Sequence, residues 1–126
     1  MLLFAAYTAN AQTATKMPLV AGDTVTNTGT ANKVFMLTAG YSGAAVQAVV
    51  TKLSGTGAGT VGVYGSLDGT NYKQIGSDYT VTNTATQSQV FYITAPVPVY
   101  VKVLETGSGT MSAVLTVKYV ARRYSN

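Results

Sequence analysis

The chain has 126 residues, the size of one domain, and its eight Lys and Arg against four Asp and Glu give a net charge of +4 with no His, Cys or Trp. Without His or Cys, the Ser-His-Asp and Cys-His nucleophile systems, disulfides and thiolate metal centres are excluded, and zinc nearly so. Charged residues make up only 10% of the chain, and the cations are scattered singly apart from Arg122 and Arg123, which speaks against a nucleic-acid binder.

Residues 1–12 read MLLFAAYTANAQ. An apolar stretch over 2–6 precedes a small-x-small pattern at 9–11, which fits either the back half of an export signal or an extended arm that docks on a neighbour. The stretch is far too short to span a bilayer. The expected organisation is therefore an arm or signal remnant over 1–16 and a single domain over 17–126. If the arm serves assembly, its contact residues are Leu2, Leu3, Phe4 and Tyr7, with Arg122, Arg123 and Tyr124 at the other terminus.

Beyond the arm, twenty Thr and seventeen Val dominate, β-branched residues that are stiff at χ1 and suit pleated sheets. Short extended runs follow one another at 33–38, 44–53, 60–67, 72–75, 78–82, 89–94, 97–104 and 111–122, each bounded by Gly, Asn, Ser, Pro or Asp. Residues 24–32 and 80–89 are polar and read as surface loops or edge strands. Alternation is clearest late in the chain. Val97, Val99, Val101 and Val103 share one face of a strand, as do Ala113, Leu115, Val117 and Tyr119 of the next. No stretch shows a helical apolar period. The Gly-rich segments 54–60 (SGTGAGT) and 106–110 (TGSGT) read as the tips of two β-hairpins. About eight strands with regular turns indicate an all-β antiparallel sandwich, jelly-roll-like in layout.

The four acids are Asp23, Asp68, Asp78 and Glu105. A glycosidase needs two carboxylates a few ångströms apart, and Asp68 and Asp78 both sit beside turn residues. Asp68 precedes Gly69, where an Asp side chain caps turn backbone. No run has the acid spacing of a calcium loop, and the Gly-rich segments lack the Lys-Ser or Lys-Thr of a phosphate loop. No catalytic, metal-binding or cofactor-binding residue is assigned. The nine Tyr suit half-buried sheet positions, subunit interfaces or sugar-stacking platforms, since each has an apolar body and a polar tip.

Residues 61–75 (VGVYGSLDGTNYKQI) carry the most distinctive pattern. Ser66, Asp68, Gly69 and Asn71 make a structural turn, and Tyr72 starts the return strand. This Ser-x-Asp-Gly-x-x-aromatic hairpin resembles one found in small β-sandwich structural proteins of tailed-phage particles, and it also occurs in discoidin-like sugar- or lipid-binding sandwiches. VYVKV at 99–103, GSGT at 107–110 and AVLTVKY at 113–119 continue the phage-like pattern. The resemblance implies a non-enzymatic virion subunit (head decoration, fibre or tail-associated) whose partners are itself and other virion proteins. The alternative is a secreted or cell-surface carbohydrate-binding module with a glycan as partner.

Overall fold

The computed structural model describes residues 15–16, 20–37 and 41–123. The expected arm contacts Leu2, Leu3, Phe4 and Tyr7, and Tyr124, lie outside the described residues. Nine strands run through the described chain: β1 (Thr15–Lys16), β2 (Val20–Thr26), β3 (Thr30–Met36), β4 (Tyr41–Gly55), β5 (Gly59–Ser66), β6 (Lys73–Val81), β7 (Thr86–Thr94), β8 (Tyr100–Gly107) and β9 (Met111–Arg123). Among the described residues no helix is long and apolar enough to cross a membrane.

All pairing is antiparallel, and four of the pairings nest. β5 pairs with β6, β4 with β7, β3 with β8 and β2 with β9. The chain is thus one long hairpin, rolled so that alternate pairs fall in opposite layers. One sheet has the order β2–β9–β4–β7, with β1 also on β9; the other has β3–β8–β5–β6. This is the jelly-roll arrangement of a β-sandwich. The core fills the space between the layers with the inward-facing alternate residues, among them Val46, Val61, Val63, Val101, Leu115 and Val117, all buried. At its margin the Phe35 and Tyr119 rings stack with centroids 3.7 Å apart.

The nesting corrects the reading of the Gly-rich segments. Neither 54–60 nor 106–110 is a hairpin tip: β4 and β5 lie in different sheets, as do β8 and β9. Each segment carries the chain across the sandwich, and the two crossings run against each other. A Cβ on Gly59 would collide with the Thr106 carbonyl oxygen. Glycine at this point therefore answers close backbone approach between crossovers rather than a tight two-strand turn. Residues 24–32 and 80–89 fall largely in β2, β3, β6 and β7, each at the edge of its sheet, as the edge-strand reading of these segments has it. The runs at 72–75 and 78–82 are one strand, β6, interrupted by a bulge opposite Gly62, between the Val63–Ile75 and Val61–Tyr79 pairs. The strand expected over 97–104 starts only at Tyr100; Pro98, just before it, lacks the N–H a ladder needs.

Alternation along β8 puts one charged residue among the inward positions. Glu105 follows Val101 and Val103 on the core face, pairs in register with Ala31 and Val61, and is 0% exposed. Neither carboxylate oxygen has a hydrogen-bond partner. Burial therefore favours the neutral acid and pushes its pKa from the ordinary 4.5 up to about 7. Below the ordinary value the side chain is protonated in folded and unfolded chains alike, with no effect. Between there and neutrality the unfolded chain ionises while the folded one stays protonated, so stability falls as pH rises. The loss is complete above pH 7 and amounts to about 3 kcal/mol. The chain has no His to titrate across the same window. Urea denaturation midpoints followed from pH 4.5 to 8 are expected to decline with pH in the wild type. Glu105→Gln should flatten that slope, and an unchanged slope in the variant would show that Glu105 is not its source.

Candidate functional site

The β5–β6 connection is the innermost turn of the rolled hairpin, and its side chains hold it rigidly. Ser66 Oγ donates to Asp68 Oδ1 at 2.8 Å and accepts from the Asp68 and Gly69 N–H groups at 3.2 and 3.0 Å. Asp68 Oδ1 accepts from the N–H groups of Thr70 and Asn71, both at 2.8 Å, and Oδ2 accepts from Asn71 Nδ2 at 2.7 Å. These bonds favour the ionised carboxylate and hold Asp68 well below the usual carboxylate range; the Asn71 backbone contributes most, then its amide, then Thr70 and Ser66. Gly69 has φ 77°, and a Cβ there would lie 3.2 Å from the Tyr100 ring packed beneath it. The structure thus brings Ser66, Asp68, Gly69 and Asn71 together in one turn. With its lone pairs committed to the turn, Asp68 is unsuited to acid–base work.

Beside this turn the sandwich is open. β6 ends one sheet and β7 ends the other, so no backbone ladder joins the two layers along this side; Tyr79 Oη donates across it to Gln87 Oε1 at 3.1 Å. A groove runs along the opening as two adjoining hollows of about 430 and 470 Å³ that share Ile75 and Tyr92. Both volumes fall in the range of small-ligand sites. Ile75, Tyr79 and Phe91 pack against the core but are only partly buried, which gives the groove an apolar floor. Asn71, Lys73 and Gln74 line the hollow next to the turn, with Pro96 and Pro98; Asp78, Thr80 and Gln89 line the other. Gln74 Nε2 donates to Asp78 Oδ1 across the β6 bulge. Tyr92 lies where the hollows meet and is 76% exposed.

Chemically the groove offers an aromatic ring, apolar contact and several amide, hydroxyl and carboxylate groups. Asp78 is its one lining carboxylate, so the paired acids of glycoside hydrolysis are not assembled there. Elsewhere, Tyr64 and Tyr72 are occupied with each other's neighbour: the Lys102 ammonium sits 4.3 Å from the Tyr72 ring centroid and 5.6 Å from that of Tyr64. This cluster covers the outer face of β5 and β8 and leaves those ring faces less free for a ligand.

Of the expected assembly residues, Arg122 is exposed near the end of β9, where its carbonyl accepts from Ser42 Oγ at 3.2 Å. Arg123 closes the same strand. The turn residues were visible in the sequence because Asp-Gly chemistry is local. Tyr92, Gln74, Asp78 and Gln89 were not, because they meet only when β6 and β7 become the free edges of opposite sheets. The available signal was slight: Tyr92 alternates with Ile93, and one of two such adjacent large residues on an edge strand must face outward.

The sequence matches no family model and no curated protein. Among solved structures, the chain is similar to the CBM22-1 xylan-binding domain from Paenibacillus barcinonensis Xyn10C, with 10% identity over 67% of this chain and 58% of that one, at a TM-score of 0.46. It is also similar to the CBM22-1–GH10 modules of the Clostridium thermocellum endo-1,4-β-D-xylanase 10B complexed with xylohexaose, with 17% identity over 69% of this chain and 17% of that one, at a TM-score of 0.44. The chain thus spans less than two thirds of either. No residue role is carried over from them.

Gly69→Val introduces a β-branched side chain at positive φ and against the Tyr100 ring. The expected loss is about 1–3 kcal/mol, read as a fall of several degrees in Tm. Thermal stability equal to wild type would show that the turn does not need glycine.

Proposed function

We propose that this chain is a non-catalytic β-sandwich module that binds a glycan in the groove between β6 and β7. One observation carries the reading: Tyr92 stands 76% exposed at the junction of two polar-walled hollows with an apolar floor. A folded domain gains little by presenting a large ring to water, but a sugar offers apolar C–H faces that stack on such a ring. Its hydroxyls then take hydrogen bonds from Asn71, Gln74 and Gln89 and give them to Asp78. The groove is open, as binding a chain rather than an enclosed small molecule requires. The single lining carboxylate and the absence of His and Cys favour binding over turnover, with no cofactor. An extracellular or cell-surface location fits this role.

A second reading, a phage virion subunit acting through subunit contacts, is favoured by a different observation: β7 is a nine-residue edge strand without a charged residue. Such an edge suits a protein that works among copies of itself.

Titration calorimetry against a panel of neutral and acidic oligosaccharides tests the glycan reading. Wild type is expected to bind at least one, and Tyr92→Ala should weaken that binding by about tenfold or more, consistent with loss of one stacking partner. Because Tyr92 is exposed, the variant should keep the wild-type Tm. Equal binding by Tyr92→Ala, or no binding across the panel, would contradict the reading.

A further inference from the structure

The free edges of the sandwich are not alike. A sheet edge presents unpaired backbone groups, and proteins blunt such edges with charges, bulges or short strands. β6 carries Lys73 and Asp78 and is broken by its bulge. β3 carries Lys33 in its middle. β2 carries Asp23 and shifts register between Val20 and Asp23. β7 (TQSQVFYIT) has none of these devices. It holds nine consecutive residue pairs with β4, from Thr86–Thr51 to Thr94–Gly43, without a register shift. Among the described residues it has no partner strand on its other side.

We infer that β7 is a self-pairing edge, and that its partner is β7 of a second copy of this chain, antiparallel about a two-fold axis at Val90. Centred on Val90, the strand can pair with its own reverse without opposing charges or two bulky outward rings. With Val90 opposite Val90, Ser88 meets Tyr92 and Thr86 meets Thr94 on the outer face. Gln89 meets Phe91 and Gln87 meets Ile93 on the inner face. All nine residues pair, each outward residue against an outward residue, as the period of two demands. No like charges come opposite one another, which would oppose pairing. The only bulky outward ring, Tyr92, faces a small Ser88. The arrangement is isologous and closes at two copies. Its result is one continuous sheet through both sandwiches. Because β7 also walls the groove, the paired form occupies that wall, so self-pairing and groove ligands compete for the same edge. The inference does not rest on the glycan reading, and its test needs no glycan.

Sedimentation velocity of the full-length protein over a wide concentration range provides the test, with Val90→Lys and Val90→Glu as variants. Val90 is 37% exposed, so either replacement should keep the wild-type melting temperature. Wild type is expected to shift from monomer to dimer as concentration rises. Each variant alone places like charges on the two-fold axis and should remain monomeric. Mixing the two in equal amounts should restore a dimer, because Lys then faces Glu. A wild type that stays monomeric throughout, or a variant that still dimerises as wild type does, would overturn the inference. Should either variant fail to fold, amide hydrogen exchange of wild-type 86–94 decides: protection that does not increase with concentration overturns it equally.

Discussion

The Asp68 carboxylate, gripped by two backbone N–H groups, the Asn71 amide and the Ser66 hydroxyl, sets the geometry on which the rest of the chain depends. It fixes the β5–β6 turn, the one place where strands consecutive in sequence pair in the same sheet. Every other pair in the nest, β4 with β7, β3 with β8 and β2 with β9, lies further from this turn in sequence and closes a longer loop. A one-residue slip at the turn would turn the inward Val61 and Val63 to solvent and the outward Tyr64 to the core. The ionised carboxylate, stabilised by its donors, makes that slip unfavourable.

The same nest explains why the groove lies where it does. Rolling a hairpin into two layers leaves β6 and β7 as the last strands of opposite sheets, adjoining but unpaired. The gap between them exposes the margins of Ile75, Tyr79 and Phe91, and the bulge in β6 turns Gln74 and Asp78 towards one another. The groove follows from the topology. The core itself holds a different compromise. Glu105 occupies an inward position with no donor to meet it, so the fold is most stable when that acid is neutral and loses stability as pH rises from the ordinary carboxylate range to neutrality.

Much of the fold was legible in the sequence because alternation is a local signal. The Val101–Val103 and Ala113–Val117 faces fell as their periodicity required, and the Asp68–Gly69 turn followed from side-chain chemistry within six residues. The pairing of the Gly-rich crossings was not legible, because a hairpin tip and a crossover use the same flexible residues and differ only in which sheet the next strand joins. β7 was only half visible. An edge strand largely exposed over its first half loses the alternation that marks a half-buried one, so Thr86 to Gln89 read equally as loop or edge strand. The groove residues were hidden for the same reason that the groove exists: they belong to two strands that never pair. Glu105 stood in plain sight two residues beyond Val103, and period-two counting alone puts it in the core.

The open side between β6 and β7 is the surface we propose for ligand binding. Backbone amide NMR of the dilute, monomeric protein, titrated with the oligosaccharide panel, tests it most directly by locating the contact. A ligand in the groove is expected to shift the amides of Gln74, Asp78, Gln89 and Tyr92 while leaving those of β2 and β3 unmoved. Shifts centred instead on Tyr64 and Lys102, or no shifts with any member of the panel, would contradict it.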